Sequence, residues 1–154
     1  AADALDMPGV RVDSIALDDA GEWLYFGAVT SRHMYRVRTA DLREPRIPWR
    51  LLESRVERYA EKTMSDGIAI DASGTLYLSD LEHSAVVALG QDRKLRTIVK
   101  DDRLRWPDGF AFGPDGWLYL TCSALHQVIL ASPEQVAANA PYQIWRLRPD
   151  PPPS

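Results

Sequence analysis

One unit recurs three times in this chain and leaves little choice of architecture. Asp13-Ser14-Ile15-Ala16-Leu17, Asp66-Gly67-Ile68-Ala69-Ile70 and Asp108-Gly109-Phe110-Ala111-Phe112 each place an aspartate before a short apolar run. A glycine follows eight positions after each aspartate (Gly21, Gly74 and Gly116), and a Leu-Tyr pair then opens a second apolar run at Tyr25, Tyr77 and Tyr119. The first copy carries one extra residue between its glycine and its tyrosine. Each unit reads as a β-hairpin. The apolar runs suit strands buried on both faces, and Asp71-Ala72-Ser73-Gly74 or Pro114-Asp115-Gly116 supplies the turn. The repeats are spaced by 53 and then 42 residues, and repeat periods of roughly 40 to 50 residues are those of propeller blades.

The intervening segments complete the blades. Met34 to Arg38 and Val86 to Leu89 read as third strands, and Leu95 to Val99 as an outer fourth strand. Pro48 to Arg58 reads as a short helix or turn entering an edge strand near Val56 to Ala60. Ser132-Pro133 is an N-cap followed by proline, opening a short helix to Asn139. Tyr142 to Leu147 supplies the last blade's third strand. The expected fold is all-β: a partial propeller of about three four-stranded antiparallel blades, with blades over about 10–62, 63–104 and 105–148 and a proline-rich tail over 149–154. Only three strands are legible in the last blade. Radial folds protect their edges by closing, so closure calls for a missing N-terminal half or a second copy.

Composition narrows the partners. A net charge of −4 gives no basic stripe for nucleic acid, and no apolar run nears the roughly 20 residues of a membrane span. Ala1 to Val10 has neither the basic start nor the apolar stretch of a secretory signal; an exported parent is expected to carry its signal upstream. Cys122 is the single cysteine, at the end of an apolar strand where free thiols are usually buried and inert.

Several stretches resemble the major royal jelly/yellow family: Val29-Thr30-Ser31-Arg32-His33, Ser65-Asp66-Gly67-Ile68-Ala69, Leu78-Ser79-Asp80-Leu81-Glu82-His83 and Trp106-Pro107-Asp108-Gly109-Phe110. Ser14 departs from that pattern, standing where a glycine follows the aspartate. The resemblance implies a six-bladed, exported (extracellular or periplasmic) propeller that binds a small molecule at one mouth of its axial channel. It also implies an architecture similar to the calcium-dependent lactonases of the gluconolactonase/regucalcin group.

Asp13, Asp66 and Asp108 are the candidate ligand and metal residues. Each opens an innermost strand, so in a propeller all three gather at one end of the axis. Converging carboxylates can hold Ca²⁺, which takes six to eight oxygens; equally, each can cap its own turn. Asp80 and His83, in the loop between second and third strands, are further candidates: a general base or a loop clamp. His33, His83 and His126 fall at one rim, as a transition-metal set would require. Three functions stay open: a small-molecule-binding propeller, a calcium-dependent lactonase-like hydrolase, and a protein-interaction module. Fold does not choose among them.

Overall fold

The repeated hairpin forms the inner half of three successive antiparallel sheets in the computed structural model, which describes residues 12–149. Sheet 1 runs β1 (Val12–Leu17), β2 (Trp23–Ala28), β3 (His33–Arg38) and β4 (Glu57–Glu61). Sheet 2 runs β5 (Ile68–Ile70), β6 (Leu76–Asp80), β7 (Ala85–Leu89) and β8 (Leu95–Lys100). Sheet 3 has three strands, β9 (Pro107–Phe112), β10 (Leu118–Cys122) and β11 (Gln143–Leu147). Within each sheet, neighbours in space are neighbours in sequence. The inner strands β1, β5 and β9 also lie against one another in that order. Three meanders sharing an inner edge make a partial β-propeller. Short helices α1 (Thr39–Leu42) and α2 (Trp49–Ser54) fill the β3–β4 connection; α3 (Leu125–Val128) and α4 (Pro133–Ala138) fill that between β10 and β11. In α4, Ser132 Oγ accepts from the Gln135 amide at 3.3 Å, and the Gln135 side chain accepts from the Ser132 amide at 2.8 Å. The proline-rich tail, apart from Pro149, lies outside the described residues.

Sheet 2 explains why the repeat is apolar on alternate residues of both parities. β6 and β7 are buried along their whole length. Leu76, Leu78, Val87 and Leu89 pack against Ala16, Tyr25, Met34 and Tyr59 of sheet 1. Tyr77, Val86 and Ala88 point the other way, onto Leu118, Leu120 and Cys122 of sheet 3. Successive strand side chains face opposite sides, so a strand sandwiched between two sheets must be hydrophobic throughout. Each buried leucine contributes about 1.5–3 kcal/mol.

The turn aspartates hold the hairpins closed. Asp71 Oδ1 accepts from the Ser73 and Thr75 amides at 2.8 and 3.0 Å, and Oδ2 accepts from the Tyr77 hydroxyl at 3.1 Å. Asp115 repeats the pattern with the Trp117 amide at 3.3 Å and the Tyr119 hydroxyl at 3.2 Å. In sheet 1 the extra residue changes the geometry. Asp18 Oδ1 takes the Glu22 and Trp23 amides, while Tyr25 turns edge-on to Tyr59, with centroids 5.1 Å apart.

At the opposite end of sheets 2 and 3, a second-strand hydroxyl fastens the start of the inner strand. Ser79 Oγ accepts from the Asp66 and Gly67 amides at 2.9 and 3.0 Å, and Thr121 Oγ1 accepts from the Gly109 amide at 3.0 Å. Sheet 1 has Gly27 at this register, opposite Ser14. Gly67 is required by close approach, because a Cβ there would clash with the Asp108 carbonyl oxygen and stand 2.7 Å from Phe110 Cδ1.

The two outer faces of the stack carry apolar groups. Ile15 is 57% and Ile144 74% exposed. Beside Ile15, an open groove of about 520 Å³ runs between sheet 1 and the α1–α2 connection, lined by Phe26, Leu42, Trp49 and Leu52 among others. No helix among the described residues is long and apolar enough to cross a membrane.

The strap from β4 to β5 contains Lys62, which is only 4% exposed. Its Nζ donates to the carbonyls of Thr63 at 3.0 Å and Val29 at 3.4 Å, and its stem lies over Gly27, where a Cβ would stand 2.7 Å from Cε. Burial, and then the charge of Arg32, bring its pKa from 10.5 down to about 8.

Three substitutions test these contacts. Ser79→Ala leaves the buried Gly67 amide and the partly buried Asp66 amide unpaired and should cost about 1–3 kcal/mol in chemical denaturation; Gly67→Ala should cost a similar amount, roughly 1–3 kcal/mol, by overpacking. A loss under half a kcal/mol (on the order of noise for a surface change) would refute the assigned contacts. For Lys62, the unfolded chain keeps its proton up to about 10.5, whereas the fold releases it near 8. The unfolded state therefore binds more protons between those values, and this group's contribution to stability rises with pH across the window. The Tm of the wild type relative to Lys62→Met should climb between pH 7.5 and 10; a constant difference would contradict the burial of this amine.

Candidate functional site

The three inner-strand aspartates come to one end of the stack because Asp13, Asp66 and Asp108 occupy the same place in three repeats whose inner strands adjoin. Asp13 lies exposed on β1; Asp66, just before β5, and Asp108 on β9 are partly buried. Asp66 is the centre of the group. Its pKa is raised, first by burial and then by the charges of Asp108 and Asp13, against the opposing effect of a hydrogen bond from Trp106. That bond is short: Trp106 Nε1 donates to Asp66 Oδ2 at 2.6 Å, joining residues 40 apart in sequence. Trp106 holds a left-handed backbone, φ +56°, a conformation costly for a bulky residue. Its indole stacks on His126, with centroids 5.8 Å apart and planes 23° from parallel. The site thus holds one carboxylate of elevated basicity, aimed by an indole from the next blade.

Asp80 and His83 sit at the same end of sheet 2 in the β6–β7 turn. Both Asp80 oxygens lie within 3.0 Å of His83 Nδ1, Asp80 is buried, and the His83 side chain is 61% exposed. The pair closes its own turn. Beside it, Arg32 of the β2–β3 loop meets Glu82 at 2.6 Å and ties sheet 1 to sheet 2 across the rim; this ion pair holds the Glu82 carboxyl below its usual range. The three histidines go to separate partners: His33 to Tyr35, His83 to Asp80, His126 to Trp106. Cys122 is buried, and burial pushes its thiol up to about 11, so it is no nucleophile at neutral pH.

Calcium asks for six to eight oxygen ligands. Among the described residues no three Asp, Glu, His or Cys side chains converge closely enough to hold a metal ion, and one Asp66 oxygen already serves Trp106. The residues present do not by themselves fit a calcium site. Trp106, Lys62, Ser79 and Thr121 gained no role from the sequence, where only the Trp-Pro-Asp-Gly order and the repeat position of Ser79 and Thr121 marked them.

No family model matches the chain, and no curated protein matches its sequence. Solved structures do. A gluconolactonase from Xanthomonas campestris superposes with a TM-score of 0.65 at 16% identity, covering 91% of this chain and 44% of that one. The calcium-binding protein regucalcin of Agrobacterium tumefaciens gives 0.56 at 20% identity over 88% and 44%, and a luciferin-regenerating enzyme gives 0.59 at 17% over 88% and 44%. The chain therefore spans about 44% of the length of these structures. The resemblance to the royal jelly/yellow family is corrected by these likenesses, which are to propellers of gluconolactonase and regucalcin type. Two of the features that suggested that family have a role in the blades themselves: Gly67 because the neighbouring inner strand passes within clash distance, and Trp106 because it reaches Asp66. At these identities the likeness establishes the fold: the chain is a partial β-propeller, sharing its architecture with gluconolactonase- and regucalcin-type proteins.

Proposed function

We propose that the chain supplies the acidic mouth of a hydrolase acting on small cyclic esters, of the kind a gluconolactonase opens. The observation that carries this reading is the Asp66 carboxylate, partly buried, raised in pKa and oriented by the Trp106 indole at the shared end of three blades. A carboxylate whose pKa is lifted toward neutrality is a better general base. In the proposed step Asp66 takes a proton from water as the water oxygen adds to the lactone carbonyl carbon. The tetrahedral intermediate then breaks its bond to the ring oxygen, which leaves as an alkoxide and receives the proton from Asp66. Water is consumed and one hydroxy acid is formed. Asp13, Asp108, Asp80 and His83 line the same end as candidate contacts for the small-molecule substrate.

The apolar outer faces of sheets 1 and 3 support a second element of the proposal. Exposed apolar patches of this kind mark surfaces that pack on something else, and here they are read as inter-blade faces covered by three further blades, making six.

Proton release from glucono-δ-lactone, with calcium and with chelator, tests the chemistry. Asp66→Asn keeps an acceptor for Trp106 and should lower kcat by 10²-fold or more, the general-base scale. Because the base must be ionised, activity should fall as pH drops through the raised Asp66 pKa. Trp106→Phe removes the interaction that lowers that pKa and should move the acid limb of kcat/KM to higher pH. Full turnover in Asp66→Asn would sink the reading. For the outer faces, sedimentation equilibrium should give a mass above the 17.3 kDa of one chain, and Ile144→Glu should reduce it; a monomer at all concentrations would oppose inter-blade faces.

A further inference from the structure

The hairpin end of the seam between sheets 1 and 2, opposite the acidic end, holds an open cleft of about 300 Å³ lined by Asp18, Tyr25, Arg36, Tyr59, Gln91 and Arg93 together with Gly74. Its donors come from both blades. Arg36 on β3 and Arg93 in the β7–β8 hairpin place their guanidinium carbons 4.8 and 4.9 Å from the Tyr59 ring centroid. Stacking of this kind uses the face of a guanidinium and leaves its N–H edge available for oxygen ligands. Arg36 gives Nε and Nη2 to Glu57 Oε2, both at 2.8 Å. Arg93 is exposed and sits at φ +61°, its backbone N–H donating to the Gly90 carbonyl at 2.8 Å.

The carboxylates around the cleft have other engagements. Asp18 Oδ1 accepts from the Glu22 and Trp23 amides at 2.7 and 3.0 Å. Asp92, next to Arg93, is paired with Arg96 at 2.6 Å. Glu57 is taken by Arg36. Facing the space are the Arg93 guanidinium, the Arg36 guanidinium with its Glu57 partner, the two tyrosines, the Asp18 carboxylate and a glutamine whose Nε2 reaches the Ser73 carbonyl. Two guanidiniums converging on a small polar space are the recognition chemistry of a tetrahedral oxyanion.

We propose that this cleft is a binding site for a phosphate-type oxyanion, gripped between Arg93 of one blade and Arg36 of the next. The site is complete within sheets 1 and 2, so it neither needs further blades nor rests on the hydrolase reading. Its occupancy clamps the seam that also carries the Tyr25–Tyr59 contact. The volume admits the free ion or the phosphoryl end of a small phosphomonoester.

The test is a titration of the purified chain with inorganic phosphate, against chloride at matched ionic strength, following Tm and the ³¹P line width. A saturable rise in Tm with line broadening is expected. Arg93→Gln should weaken the apparent affinity at least about tenfold, roughly 1.4 kcal/mol, while its Tm without phosphate stays near wild type because Arg93 is exposed. Lys100→Gln, at the other end of β8, should leave binding intact and controls for net charge. Glucose 6-phosphate in place of the free ion should compete if the site takes a phosphoryl group in either form. A response equal to that of chloride, or one unchanged in Arg93→Gln, overturns the proposal.

Discussion

Burial of sheet 2 on both faces is the constraint on which the rest of this structure depends. Leu78 and Val87 look toward sheet 1 while Tyr77 and Val86, one residue away on the same strands, look toward sheet 3. No two-layer arrangement satisfies a strand that is apolar at every position; a third layer is required. Once three sheets stack through a shared middle layer, their inner strands are driven together. Everything at the strand starts inherits its position from that convergence.

The acidic end shows how closely site and fold are joined. The glycine after Asp66 is there because the next inner strand passes within clash distance, and the Asp66 and Gly67 amides are fastened by Ser79. Burial is the first cause of the raised Asp66 pKa, and the same approach that excludes a side chain at Gly67 adds to it by bringing the charge of Asp108 near. Like charges held near one another oppose folding; burial adds to that opposition, and the Trp106 hydrogen bond offsets part of it. The left-handed backbone of Trp106 is a further local cost carried by the packing around it. A carboxylate kept basic by the fold's own convergence is the property a general base needs.

The blade plan was legible in the sequence because its determinants are local. Each hairpin is closed by an aspartate and a glycine within a few residues of each other, and Tyr77 returns to Asp71 over only six positions. The α4 cap was legible for the same reason, since Ser132 and Gln135 are three residues apart. The three aspartates could be placed at one end from the repeat alone. What the sequence could not show were the contacts between blades. Trp106 reaches Asp66 across 40 positions, Arg32 reaches Glu82 across 50, and Lys62 looks like any surface lysine until the strap folds over it. The family resemblance misled through the same limit. Gly67 and Trp106 serve the geometry of adjoining blades, so they speak for the propeller rather than for one branch of it.

The two ends of the stack are chemically unlike because different parts of the repeat build them. Strand starts face one end, and the repeat puts an aspartate at each, so that end is acidic by periodicity. Hairpin tips face the other, where the turn aspartates fold back to accept from their own hairpin amides. That leaves the hairpin end open to whatever the third and fourth strands present. At the seam of sheets 1 and 2 they present arginines. The extra residue in the first hairpin matters here. It draws Tyr25 away from the turn-clamping role of Tyr77 and Tyr119, toward Tyr59 and the Arg36 guanidinium. A single insertion in an otherwise regular repeat thus gathers Tyr25, Tyr59 and the Arg36 and Arg93 guanidiniums, with Asp18, around one cleft.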